Sequence, residues 1–255
     1  MSAVGSPVTA ILGLGREVGD AAARRFHEIG HNVLAADSSG DRLLTAQNAM
    51  PEKVLLHLGD LHTKLGLRNA VAAAVEGFGR IDNLVVIPSI EQPDSIHDFS
   101  QEKFDKALAK TVRGAAQCLK VFAERIADQA DLPTAGAERI RQRGTVTFVL
   151  SYSALATMPG RFTESVTQAG VLGVVRAGSL ELAEAGIRVN AIVAIRPREE
   201  KMETWTGKRT PLGRAALADE IADAAAFLAS PEAAIITGEV LRLDGGRSGL
   251  AGILD

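Results

Sequence analysis

Several reactive side chains are scarce in this chain. Its 255 residues include one cysteine, one tyrosine and one tryptophan, and aromatics make up 4%. The lone Cys118 cannot close an internal disulfide, which suits a reducing compartment. Its place in a helical stretch reads as packing rather than catalysis. No run approaches the ~20 apolar residues of a membrane span. A basic segment leading into a signal-type apolar run is also missing at the N-terminus. The expectation is a cytoplasmic protein without a membrane partner. Neither charge sign dominates: the net charge is −3 and the pI about 6.0, which leaves no basic footprint for nucleic acid. Histidines at 27, 31, 57, 62 and 97 show no HExxH-type pairing, so no metal site is expected.

What is present is core-forming. Apolar residues make up 46%, and strand-like runs recur at 8–12, 32–36, 54–58, 83–87, 144–150, 187–193 and 239–243. Helical patterns fill the gaps at 20–29, 42–50, 64–78, 101–127, 163–185 and 217–229. Strands alternating with helices predict an α/β fold, a Rossmann-like doubly wound parallel sheet in three layers. The strands are apolar on both parities, as a sheet covered on both faces requires. With no repeat and no linker, residues 1–255 read as a single domain. Two stretches break the rhythm: a polar insertion at 128–143, and a charged stretch at 195–210 that carries Trp205 and reads as a lid or a surface excursion.

The first fifty residues carry a nucleotide-binding pattern. An apolar strand runs into Gly13, Gly15 and Gly19, a helix follows, and a second strand ends on Asp37. Glycines let backbone approach a pyrophosphate, and a helix N-terminus offers it free N–H groups. An acid about twenty residues on can hold a ribose diol. Arg16 could meet a phosphate. Glu17 sits in the same turn, where two negative charges ~4 Å apart would repel by about 1 kcal/mol in water and by more when half-buried. An outward pose, or an ion pair with Arg16 or Arg24, would relieve this.

Together with later motifs, this order resembles the short-chain dehydrogenase/reductase family over nearly the whole chain. Residues 12–19 read Leu-Gly-Leu-Gly-Arg-Glu-Val-Gly, against the family's Thr-Gly-x-x-x-Gly-x-Gly. Gly59-Asp60-Leu61 matches a pair that touches adenine, and 78–82 read Phe-Gly-Arg-Ile-Asp. Pro211-Leu-Gly-Arg214 and the 237–246 stretch follow the family's C-terminal pattern. The resemblance implies a nicotinamide dinucleotide held by Gly13, Gly15, Arg16, Gly19, Asp37, Asp60 and Leu61. Asp37 stands where the family's acid selects NAD. No basic residue follows it immediately, so NAD is expected over NADP. The resemblance also implies a homodimer or homotetramer, with helices 101–127 and 163–185 pairing across a two-fold axis.

The departures fall on the chemistry. Where the family has Asn-Asn-Ala-Gly after the fourth strand, residues 86–89 read Val-Ile-Pro-Ser, and Thr111 stands at the helical asparagine. Ser151 matches the catalytic serine. Thirteen and seventeen residues on, at the Tyr-x-x-x-Lys positions, stand Glu164 and Gln168. The only tyrosine, Tyr152, has Ala156 four residues on and should face away from its neighbour Ser151. In the family, a lysine ammonium lowers the tyrosine's pKa; here that ammonium is missing. Glu164 could serve as a base beside Ser151, with Gln168 and Thr111 as the remaining candidates. Alternatively, Glu164 and Gln168 are solvated residues of a cleft that has lost its chemistry. The functional expectation is a dinucleotide-binding, oxidoreductase-like protein with degenerate catalytic residues and weak or no dehydrogenase activity. Its alternatives are an active atypical NAD(P)-dependent enzyme using Ser151 and Glu164, and a non-catalytic regulatory or hetero-oligomer subunit.

Overall fold

Each central strand sends alternate side chains into two separate cores, which explains apolar residues at consecutive positions. In the computed structural model, residues 5–14, 17–47, 54–88, 93–132, 142–195 and 210–250 are described. Seven strands form one sheet: β1 (Val8–Leu12), β2 (Asn32–Asp37), β3 (Val54–Leu58), β4 (Asn83–Val86), β5 (Gly144–Ser151), β6 (Ile187–Ala194) and β7 (Val240–Leu243). Their order is β3-β2-β1-β4-β5-β6-β7, and every pair is parallel. Ala10, Leu12, Phe148 and Leu150 belong to one core, Ile11 and Val149 to the other. Helices α3 (Lys64–Phe78), α5 (Gly114–Ala127) and α6 (Phe162–Glu181) cover the first face. Helices α1 (Glu17–Glu28), α2 (Gly40–Gln47) and α7 (Ala218–Ala229) cover the second. The doubly wound, three-layer sheet expected from the alternation is therefore present. Among the described residues, no helix is long and apolar enough to cross a membrane.

Two helices differ from the sequence expectation. The helical pattern over 101–127 is broken into α4 (Gln101–Leu108), a π-helical turn (Ala109–Arg113) and α5. The wider turn carries Thr111, which is buried. The pattern over 163–185 ends as a helix at Glu181. The chain then reverses through Gly186 (φ 72°) into β6, a left-handed conformation that glycine adopts without a Cβ penalty. Of the two irregular stretches, 133–141 and 196–209, the latter with Trp205, lie outside the described residues.

Glu17 takes the outward pose. It is the first residue of α1 and is exposed, and an acid in the first turn complements the helix dipole. Arg24, one of its candidate partners, pairs instead with Asp219 at 3.7 Å.

Candidate functional site

The sheet reverses its winding between β1 and β4, and a crevice opens at the C-terminal ends of such neighbours. The turn leaving β1 is shaped by close contact. Gly13 has φ 105°, and its N–H donates to the Ala36 carbonyl at 2.9 Å, which ties the turn to the end of β2. A Cβ on Gly19 would stand 2.4 Å from the Gly13 carbonyl oxygen, so only glycine lets α1 start this close to the turn. Gly15 and Arg16 lie outside the described residues.

A cavity at this point is lined by Gly13, Asp37, Arg42, Leu61, Pro88 and Thr111, among others. Asp37 closes β2 and is 2% exposed. Its Oδ1 accepts the Ser39 N–H at 2.8 Å and lies 2.7 Å from Nη2 of Arg42. No basic residue follows Asp37 immediately, but α2 begins at Gly40 and its first turn brings Arg42 back to the carboxylate. The Thr111 Oγ1 is buried without a hydrogen-bond partner. Asp60 does not line the cavity with Leu61. It is exposed, and its Oδ1 accepts the His62 N–H at 3.0 Å within its own turn. The cavity also takes in Cys118, which is buried; burial pushes its thiol pKa far above the usual value.

A second group forms where β5 ends. Ser151 is its last residue, and α6 brings Glu164 and Gln168 to it. The Ser151 hydroxyl donates to Glu164 Oε1 at 2.6 Å. The Ser151 N–H donates to Gln168 Oε1 at 3.1 Å, and the Ser151 Oγ accepts the Ser153 N–H at 3.2 Å. Glu164 and Gln168 are 4% and 1% exposed, so the reading of solvated cleft residues is overturned. A buried carboxylate requires compensation, and Arg161 supplies it: its Nη1 donates to Glu164 Oε2 at 3.1 Å. The sequence expectation placed a cation at i+4 and passed over this one three residues before Glu164, at the residue that precedes α6. Asp94 anchors the same end of α6, its Oδ1 accepting the Thr163 N–H at 3.0 Å and its Oδ2 the Thr163 hydroxyl. Tyr152 takes no part: its hydroxyl lies 3.4 Å from Ser248 Oγ and its ring packs against the first core.

A Rossmann-like sheet with a glycine turn, an acid ending β2 and a serine ending β5 defines a class, the dinucleotide-type α/β oxidoreductases. The family described as enoyl-(acyl carrier protein) reductase matches residues 13–248. The chain belongs to this family, within the short-chain dehydrogenase/reductases. It is 30% identical to an uncharacterized oxidoreductase of Thermotoga maritima, with 94% of this chain and 96% of that protein covered. A 3-oxoacyl-(acyl-carrier-protein) reductase of the same organism is 27% identical over 94% of this chain and 96% of its own length. The fold superposes on a 3-ketoacyl-(acyl-carrier-protein) reductase from Brucella melitensis complexed with NADH. That pair has a TM-score of 0.85 and 28% identity, over 96% of this chain and 99% of that one.

Proposed function

We propose that this protein is a dinucleotide-binding short-chain oxidoreductase whose proton-transfer site has been rebuilt, leaving weak or no general dehydrogenase activity. The observation that carries this reading is the closed network around Ser151. Glu164 has one oxygen on the Ser151 hydroxyl and the other on Arg161, while the Gln168 carbonyl oxygen is taken by the Ser151 N–H. A phenol with a neighbouring ammonium, the usual proton donor of the family, is replaced by side chains that satisfy one another.

The cofactor side supports binding. Gly13 and Gly19 would face the pyrophosphate, Asp37 the adenosine ribose, and Leu61, which lines the cavity where Asp60 does not, the adenine. The orphaned, buried Thr111 Oγ1 is a polar atom beside the cavity with bonding capacity to spare. The related Brucella reductase, complexed with NADH, supports the same ligand class. When bound, the nicotinamide would supply or accept a hydride. NAD is the favoured form, since Asp37 ends β2 at the position where an acid meets the adenosine ribose diol. A homodimer or homotetramer and residence in the cytoplasm belong to the same reading.

The 2.6 Å contact from Ser151 to Glu164 favours one second reading, an atypical active enzyme in which Glu164 takes a proton through the serine. A panel of alcohols with NAD and NADP, and of ketones with NADH and NADPH, separates the two. Turnover no greater than a trace is expected. Robust turnover abolished by Glu164→Gln would instead establish Glu164 as the acid/base.

A further inference from the structure

We propose that a cavity beside β7 binds a small phosphate ester between the guanidinium groups of Arg176 and Arg242. The site lies apart from the dinucleotide cleft, and the two cavities share no lining residue. It arises from how the sheet ends. β7 is an edge strand. Its Leu241 and Leu243 pack on the second core and Val240 on the first. Arg242 lies on the same side as Val240, because side chains alternate along a strand. α6 packs on β6, and beyond it Arg242 stays exposed. β7 thus floors a cavity walled by Arg176 of α6 and by Tyr152, Leu155 and Ala156, which follow β5. Its volume is about 490 Å³, within the range of small-molecule sites and larger than a phosphate ion alone requires.

The cavity has donors and little to occupy them. Among the described residues, neither Arg176 nor Arg242 makes a side-chain hydrogen bond or an ion pair. Asp244 feels the charge of Arg242, but that carboxylate is buried and already accepts the Ser248 hydroxyl and the N–H groups of Gly246 and Ser248. The Ser248 proton is thereby committed. The Tyr152 phenol, 3.4 Å from Ser248 Oγ, has no close acceptor and keeps a proton for a ligand oxygen. Glu239 is the one carboxylate among the lining residues. Two guanidinium groups against one carboxylate leave a positive field, and planar forks of N–H donors match phosphate oxygens. Glu239 accepts hydroxyls of the organic body, for which Leu155, Ala156 and Val240 form an apolar wall. The same polarity disfavours cover by another protein surface, which would strip water from two unpaired cations.

Titration calorimetry with glycerol 3-phosphate should show binding of roughly millimolar affinity or tighter, weakened by added salt. The double variant Arg176→Ala/Arg242→Ala should bind it about tenfold more weakly or worse, because two charge-assisted contacts are lost. Both side chains are exposed, so the Tm of the variant should match that of the wild type, and its response to NADH should be unchanged. Tyr152→Phe should cost a few-fold, the worth of one neutral donor. Inorganic phosphate should bind more weakly than the ester. No binding at millimolar ester would refute the site. Affinity retained by the double variant would also refute it, and would place the anion elsewhere, as over the glycine turn. Equal affinity for inorganic phosphate would leave the organic body without a role and overturn the ester as the ligand class.

Discussion

Glu164→Ala should lower the stability of the protein by about 3 kcal/mol, the lower end of what removing one partner of a buried ion pair costs. For a chain of this size that corresponds to a fall in Tm of roughly 6–12 °C. The substitution strips the acceptor from the Ser151 hydroxyl at 2.6 Å and the counter-charge from Arg161. Arg161 keeps 14% of its side chain exposed, so it can turn partly toward water, which places the cost at the low end. Glu164→Gln retains the shape and an acceptor for Ser151 but not the charge, so its cost should be smaller. Thermal unfolding of the two variants checks this. A loss under about 0.5 kcal/mol for Glu164→Ala, the usual range for a surface change, would show that the carboxylate is not held in the buried network.

Gly19→Ala should be the other severe substitution. The added methyl would meet backbone at 2.4 Å from the Gly13 oxygen and 3.0 Å from the Leu14 Cα. Backbone cannot rotate away as a side-chain tip can, so α1 and the turn must separate. Overpacking of this kind costs about 1–3 kcal/mol and occasionally more, and the full range is expected here because both contacts are main chain. NADH affinity should fall with it, since the same separation opens the turn to which the proposed function assigns the pyrophosphate. Gly173→Ala provides the contrast. It lies in α6, and within the protomer its Cβ would meet nothing within 4 Å. Relative to glycine, alanine there should gain about 0.5–1 kcal/mol of helix stability. Equal effects of the two substitutions in denaturant unfolding would contradict the close approach at Gly19.

The sheet was readable because burial on both faces leaves an unmistakable imprint: apolar residues at consecutive positions, as at Ala10–Leu12 and Leu84–Val86, separated by helical periods. The glycine turn and Asp37 were readable for a similar reason, since their spacing is set by the βαβ unit itself. The interruption at Ala109–Arg113 was not. Nothing in 101–113 is a helix breaker, and the π turn there reflects tertiary packing that places Thr111 inward. Arg42 and Arg161 escaped notice for a different reason. Each acts across a local bend: Arg42 returns to Asp37 through the first turn of α2, and Arg161 reaches Glu164 from just before α6 begins. Reading along the chain for an adjacent base, or only at i+4 for a counter-ion, passes over both. Burial was the third blind spot. Glu164 and Gln168 are polar residues in a helix of small apolar ones, and only the packing of α6 against the end of β5 shows that they face inward.

These observations separate two properties that usually travel together in this family. The end of the cleft built from β1, β2 and α2 carries the glycine turn and the acid that the proposed function assigns to a dinucleotide. The end built from β5 and α6 brings a carboxylate, an amide and an arginine from the preceding loop around Ser151; in the proposed function these stand in place of a phenol and an ammonium. Loss of proton transfer without loss of the nucleotide site is the physical content of the proposed function.

The most direct test is a crystal structure grown with saturating NADH. The expected result is density for the dinucleotide across the C-terminal ends of β1 and β4. Its adenosine ribose should lie against Asp37 and its pyrophosphate over the turn after Gly13. An empty cleft with both NADH and NADPH, in crystals whose lattice leaves it open, would contradict dinucleotide binding and reduce the protein to a scaffold with this fold.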